Sequence, residues 1–126
     1  MPGISLGPVT PILRIFDEAL ARAWYLDHLG FGVVFEHRFA PGLPLYLGVA
    51  RGACALHLSE HHGDASPGAS MRIEVADLDG LQAELAARPF RQLPPATIET
   101  MPWGTRDMRL TDPFGNRLTL TNAISL

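Results

Sequence analysis

The spacing of apolar and polar positions runs through the same order twice along this chain. Residues 9–16 and 70–76 read as strands, and each is followed by an aspartate, Asp17 or Asp77, and then by apolar residues at helical spacing. An aspartate in this place can accept hydrogen bonds from the first free backbone N–H groups of a helix. The pattern therefore predicts a strand and a capped helix at the start of each half.

Each predicted helix has one apolar face and a residue that ends it. The apolar positions are Leu20, Trp24 and Tyr25 in the first helix and Leu78, Leu81 and Leu85 in the second. Gly30 and Pro89 terminate these helices. Three short strands are predicted after each helix, at about 31–38, 44–50 and 53–59 and then at about 97–102, 105–111 and 117–121. Each half thus has the predicted order β-α-β-β-β.

The likeness between the halves indicates an internal repeat of about sixty residues. We predict an α+β fold in which two βαβββ modules form a curved mixed sheet around a cleft, with the helices on the outside. Module one is expected over about 8–60, a polar linker over about 61–69 and module two over about 70–122, within a single domain of residues 1–126. Arg14 and Glu74 stand at equivalent places in the two halves, and we expect an ion pair between them.

Composition and charge narrow the function classes. The chain has 126 residues, of which 47% are hydrophobic and 18% charged, and this is typical of one globular domain. Its ten basic residues are all arginines dispersed along the sequence, against 13 acidic residues, which argues against a nucleic-acid or anionic-membrane partner. A single cysteine excludes an intrachain disulfide. Without a long apolar run or a signal-peptide pattern, we expect a soluble cytoplasmic protein.

Alternation within the strands separates a core face from a polar face. The apolar face of the strand at 53–59 comprises Cys54, Leu56 and Leu58. Cys54 is therefore interpreted as a core residue, and Trp24 as part of the buried helix face. His57 and Ser59 share the opposite face of this strand. The strands of the second half divide in the same way, so ligand contacts are expected on the polar faces that line the cleft.

Three stretches of the chain carry motifs. Residues 23–31 read Ala-Trp-Tyr-Leu-Asp-His-Leu-Gly-Phe, and residues 112–118 read Asp-Pro-Phe-Gly-Asn-Arg-Leu. They resemble the F/W-Y-x-x-x-L-G-F and D-P-x-G-N-x-L motifs of the vicinal-oxygen-chelate superfamily, which includes glyoxalase I, extradiol dioxygenases and bleomycin-resistance proteins. Residues 101–107 resemble the P-W-G-x-R stretch of the bleomycin-resistance branch. The resemblance implies a homodimer, often with an exchanged N-terminal arm, whose clefts bind a large drug without transforming it.

The favoured function is therefore non-catalytic sequestration of an aromatic, drug-like ligand. The predicted ligand-binding residues are Trp103, Phe35, His37, Phe39, Tyr46, His57, Ser59, Asp107 and Arg109. Trp103 is flanked by proline and glycine, and the residues that share its face of the predicted strand are polar. An aromatic residue in such surroundings favours the wall of a binding site over a core position.

Two questions about this set stay open at the level of sequence. The aromatic residues at 35–46 can line the ligand site or pack between strands, and His57 can contact a ligand or a neighbouring strand. Aromatic stacking beside Asp107 would suit a flat cation. The arginines Arg72, Arg106 and Arg109 would suit an anion equally well.

The resemblance also gives positions for the metal ligands of the enzymatic members. They correspond to Thr10, His57, Ser70 and Thr119, of which only the histidine is a good ligand. We therefore expect no metal and no cofactor, and we interpret the loop Glu60-His61-His62 with Asp64 as a surface loop. The alternative is a metal-dependent enzyme of the glyoxalase or dioxygenase type that uses His57 and ligands in a different register.

The N-terminal segment indicates how a homodimer could form. Met1 to Pro8 is apolar, carries no charged side chain and precedes the first strand. We expect it to lie on a second copy of the chain in a homodimer.

Overall fold

The computed structural model describes residues 3–124, which form two similar series of elements. The first series is β1 (Ile12–Arg14), α1 (Glu18–Arg22), a π-helical stretch (Ala23–His28), β2 (Gly32–His37), β3 (Tyr46–Arg51) and β4 (Cys54–Ser59). The second series is β5 (Ser70–Glu74), α2 (Leu78–Ala87), β6 (Ile98–Thr100), β7 (Thr105–Thr111) and β8 (Arg117–Ala123). The order βαβββ therefore occurs twice.

Each series forms a four-stranded mixed sheet. The strand orders are β1-β4-β3-β2 and β5-β8-β7-β6. In both sheets the first strand runs parallel to the last one of its series, and the remaining neighbours are antiparallel. The predicted α+β fold of two βαβββ modules is confirmed. Within residues 3–124 no strand pairing joins the sheets, so the mixed sheet is divided between the modules.

Strand β1 is shorter than its sequence pattern indicates. The pattern predicts a strand over 9–16, whereas only Ile12–Arg14 pairs with β4. Pro8 and Pro11 have no backbone N–H group, so neither can donate to a strand ladder. Pro11 still accepts a hydrogen bond at its carbonyl from the His57 backbone N–H, at 2.9 Å. Prolines thus separate an exposed N-terminal arm from the sheet.

Both predicted helix caps are confirmed. The Asp17 carboxylate accepts a hydrogen bond from the Leu20 backbone N–H at 3.0 Å, and Asp77 accepts one from Gly80 at 2.9 Å. Helix α1 continues directly into the π-helical stretch, which ends shortly before Gly30. Such stretches are rare and widen the helix by one residue per turn.

The core lies between the helices and one face of each sheet. Trp24, Leu56 and Leu58 are buried there, as the alternation predicts. Cys54 is half-buried beside them, and burial raises the pKa of its thiol, in keeping with a packing role.

The expected ion pair between Arg14 and Glu74 is wrong. Neither residue takes part in an ion pair in the described part of the chain. The Arg14 guanidinium instead lies over the Phe16 ring, 4.6 Å from its centroid. A cation over an aromatic face is itself a favourable contact.

The motifs at 23–31 and 112–118 meet where the modules join. The Tyr25 hydroxyl donates to the buried Asp112 carboxylate at 2.6 Å. Burial and this carboxylate raise the pKa of Tyr25 far above its ordinary value, so its proton stays in place. The Asn116 side-chain amide donates to Asp112 at 2.8 Å and to the Arg14 carbonyl at 2.9 Å. The two motifs therefore have a structural role.

An ion-pair cluster forms a second link between the modules. Arg51, at the end of β3, donates to Glu84 of α2 through both terminal guanidinium nitrogens, at 2.6 and 2.9 Å. Arg88 contacts the same carboxylate at 2.7 Å. These hydrogen bonds lower the pKa of Glu84 to about 2. Glu84 therefore stays ionised at any pH above that value.

Candidate functional site

The open face of the first sheet brings together most of the predicted aromatic residues. Phe35 pairs with Gly48, and Gly48 pairs with His57 on the next strand. One step along, His37 pairs with Tyr46. Because paired residues share a face of the sheet, these side chains project from the same side.

Direct ring contacts join these residues. Phe35 is stacked on Tyr46 with ring centroids 6.1 Å apart and meets the His57 ring edge-on at 5.1 Å. The Tyr46 hydroxyl lies 2.8 Å from Nδ1 of His57. His37 meets Phe39 edge-on at 4.8 Å. We call Phe35, His37, Phe39, Tyr46 and His57 the aromatic face.

The His57 ring contacts a neighbouring strand through Tyr46, and the residue is partly exposed. Its contact with a ligand stays a prediction. Burial and the nearby Asp64 carboxylate raise the pKa of Tyr46, which keeps the hydroxyl protonated as a hydrogen-bond donor.

Gly48 is a site residue that sequence reasoning missed. A Cβ atom built on it would lie 2.2 Å from Cε1 of Phe35, far inside van der Waals contact. Only glycine lets the phenylalanine ring lie flat across β3. A glycine in the middle of a predicted strand is the signal that could have identified it, because such glycines often mark a close approach.

Ser59 does not stand open beside these rings, contrary to expectation. It is fully buried, its hydroxyl donates to Asp64 at 2.7 Å, and it accepts from the His61 backbone N–H at 3.0 Å. The loop after β4 folds back over the end of the strand, and its residues Asp64 and His61 take up the hydrogen bonds of this hydroxyl. The alternation along the strand predicts the correct face for Ser59 but not the loop that buries it.

The second sheet carries the other predicted residues on its polar face. Asp107 was expected to meet a ligand, yet its side chain is only 1% exposed. Its carboxylate accepts hydrogen bonds from Thr121 at 2.6 Å, Thr105 at 2.9 Å and Arg72 at 3.2 Å. Burial alone would raise the pKa of Asp107, but these hydrogen bonds outweigh burial and hold it below its ordinary value. Asp107 is therefore an ionised anchor for Arg72.

The three arginines considered for an anion have different surroundings. Arg106 donates twice to Asp79, at 2.8 and 2.9 Å, and is thereby held beside α2. Arg72 is half-exposed above Asp107. Arg109 is exposed, and its recorded side-chain contact is with the Met101 sulfur at 4.0 Å.

Trp103 lies in the turn between β6 and β7 and is 61% exposed. Its neighbours Met101 and Gly104 close that turn through backbone hydrogen bonds, so the indole itself is not needed to hold it. Among the described residues no ring contact or hydrogen bond joins Trp103 to the aromatic face. Within one chain the predicted residues therefore form two separate groups.

Clefts occur elsewhere on the chain. One of about 640 Å³ lies between α1 and the segment 88–91, and another of about 580 Å³ lies between the β3–β4 turn and α2. A third, of about 390 Å³, is bordered by Arg109. The aromatic face borders none of these three clefts and is an open surface.

The metal positions implied by the resemblance do not fit a divalent ion. Thr10, Ser70 and Thr119 offer hydroxyl groups, and His57 offers one imidazole that is already engaged by Tyr46. A first-row metal needs about three or more imidazole, carboxylate or thiolate ligands. Residues 3–124 contain no cluster of three or more such groups that could hold a metal ion.

Solved structures of known proteins share this fold. A bleomycin-binding protein from bleomycin-producing Streptomyces verticillus, complexed with copper(II)-bleomycin, matches with 29% identity and a TM-score of 0.70, over 98% of this chain and 100% of that one. A bleomycin-binding protein complexed with bleomycin matches with 24% identity and a TM-score of 0.73, over 93% and 98%. A bleomycin resistance determinant encoded on the transposon Tn5 matches with 23% identity and a TM-score of 0.72, over 96% and 100%.

Sequence comparison gives the family. No curated protein matches the sequence. The family model described as "Glyoxalase superfamily protein" matches residues 2–125. Since that match spans nearly the whole sequence, the chain belongs to the glyoxalase superfamily.

Proposed function

We propose that this protein binds an aromatic, drug-like small molecule and holds it without transforming it. The observation that carries the proposal is the aromatic face, where Phe35, Tyr46 and His57 are in ring contact on an open surface of the sheet. The residues at the expected metal positions do not fit a metal ion. Accessible aromatic rings favour stacked or edge-on contacts with a ligand ring. The likeness to bleomycin-binding proteins supports the same class of function.

We further propose that the clefts form in a homodimer. The arm before β1 lies on the surface, and its apolar side chains Ile4 and Leu6 are 99% and 94% exposed. Solvent exposure of such side chains is unfavourable, whereas burial on a second copy would stabilise them. Met1 and Pro2, the start of the predicted contact segment, lie outside the described residues. A dimer also offers a way to bring the aromatic face of one protomer opposite Trp103 of its partner.

No helix in the described part of the chain has the length and apolar character that a bilayer span requires. A cytoplasmic location stays a prediction from the sequence.

Metal analysis separates this proposal from the enzymatic alternative. We expect purified protein to contain far less than one zinc, nickel, iron or manganese ion per chain, because three of the four positions supply only hydroxyl groups. Elemental mass spectrometry after dialysis measures this. A stoichiometric metal whose removal abolishes turnover would instead establish a metal-dependent enzyme.

The Trp103→Ala variant tests whether Trp103 takes part in the binding site. The probes are bleomycin, 2-naphthoate, 2-naphthalenemethanol and 2-naphthylmethylammonium. Because Trp24 is buried, we expect a bound aromatic probe to quench the fluorescence of Trp103. Trp103→Ala should lower the affinity for that probe by about 1–3 kcal/mol, since it removes a stacking surface.

The matched control is Trp103→Phe, which keeps an aromatic ring and should retain most of the affinity. Thermal unfolding of Trp103→Ala should resemble that of the parent, because the indole is exposed. An alanine variant that unfolds would make Trp103 a core residue. Unchanged affinity, or no binding of any probe to the parent, would contradict the proposal.

A further inference from the structure

One row of side chains crosses the polar face of the second sheet and consists of two arginines and a threonine. Thr119 of β8 pairs with Arg72 of β5 on one side and with Arg109 of β7 on the other. Neighbouring strands lie about 4.8 Å apart, so the two arginine Cα atoms are separated by roughly 10 Å. Both arginines are exposed. The Arg72 guanidinium lies against Asp107 and Thr121, and the Arg109 guanidinium lies 4.0 Å from the Met101 sulfur, so both remain on the polar face of this sheet.

The charge of this row is positive. Asp107 contacts Arg72 only from the buried side, because its carboxylate is buried and accepts hydrogen bonds from protein groups alone. The half-exposed Arg72 guanidinium therefore turns donors toward solvent while a fixed carboxylate orients it. Arg109 has no carboxylate partner among residues 3–124. A guanidinium held in place by a second group loses less freedom when it binds an oxyanion.

The other charged groups of the same face lie on adjacent rows. Glu74 pairs with Thr121, and Glu99 pairs with Asp107, one row away from Thr119. Arg117 lies one row away on the opposite side, paired with Ser70. Successive rows on one face are about 7 Å apart. No carboxylate thus occupies the row itself, which lies between a row that contains carboxylates and a row that contains Arg117.

We propose that Arg72, Thr119 and Arg109 bind an oxyanion, such as a carboxylate or sulfonate, carried by the aromatic ligand. This inference rests on the proposed function and names the chemistry of the ligand: an aromatic anion in place of a flat cation. The two guanidinium groups supply charge-assisted hydrogen bonds, and Thr119 supplies a hydroxyl donor between them. The buried state of Asp107 removes the carboxylate on which cation binding would depend.

The test compares three probes of one shape, 2-naphthoate, neutral 2-naphthalenemethanol and cationic 2-naphthylmethylammonium, by isothermal titration calorimetry. The parent protein should bind the carboxylate roughly tenfold more tightly than the neutral alcohol and should bind the cation most weakly. Arg109→Gln and Thr119→Val should each reduce the preference for the carboxylate by at least about threefold, with little effect on the alcohol. Both substitutions remove a donor without opening the core.

Arg106→Gln is the matched control, because Arg106 lies on the same strand but is paired with Asp79. It removes one positive charge from the same module and should leave the preference unchanged. Equal binding of all probes, tighter binding of the cation, or an equal effect of Arg106→Gln would overturn the oxyanion site while leaving the proposed function standing. Failure of every probe to bind would contradict both.

Discussion

Replacement of Asp112 by alanine is expected to lower the free energy of unfolding by about 3–5 kcal/mol and the Tm by roughly 10–20 °C. The buried carboxylate accepts hydrogen bonds from four donors: the Tyr25 hydroxyl, the backbone N–H groups of Phe114 and Asn116, and the Asn116 amide. Alanine would leave these donors without a partner in a site that admits little water. Urea unfolding followed by circular dichroism measures the change.

Asp27→Ala is the control for this prediction. Asp27 is exposed, and its side chain makes no recorded hydrogen bond in the described residues. Its replacement should change the free energy of unfolding by less than about 0.5 kcal/mol. A loss below about 1 kcal/mol for Asp112→Ala would show that water replaces the carboxylate and that the two motifs do not hold the modules together.

The double substitution Ile4→Ser and Leu6→Ser is expected to convert a dimer into monomers. Burial of a large aliphatic side chain contributes about 1.5–3 kcal/mol, and a symmetric dimer contains both side chains twice. The dissociation constant should therefore rise by at least about a hundredfold. Sedimentation velocity at micromolar concentration distinguishes the parent from the variant.

The control for the arm is Leu93→Ser. Leu93 is also an exposed leucine, but it lies in the segment between α2 and β6. Its replacement should leave the sedimentation coefficient unchanged. A parent protein that sediments as a monomer would refute the arm-mediated dimer, whatever the variants do.

Sequence reasoning succeeded where local rules decide the structure. The alternation of side chains along a strand placed Phe35 and His37 on one face with Tyr46, and the cap positions of Asp17 and Asp77 followed from hydrogen bonding over three residues. These features depend on the period of a strand or the start of a helix, and both are visible in a short window of sequence.

It failed where a residue from elsewhere covers the site. Parity assigns Asp107 to the polar face, but only the register of β5 against β8 reveals that Arg72 lies above it. Parity likewise cannot show that the loop residue Asp64 binds Ser59. Both errors concern depth below the surface, which depends on contacts between distant parts of the chain.

The close approach of Phe35 to Gly48 makes the shape of the aromatic face depend on the absence of a side chain at position 48. With glycine at position 48 the Phe35 ring covers the backbone of β3 in the place that a Cβ atom would otherwise take. A methyl group at position 48 would displace the Phe35 ring by more than about 1 Å, since ordinary contacts are about 3.5–4.0 Å. The ring would then project from the surface of the sheet. The residues at positions 35 and 48 therefore together set how far the phenylalanine ring stands above β3.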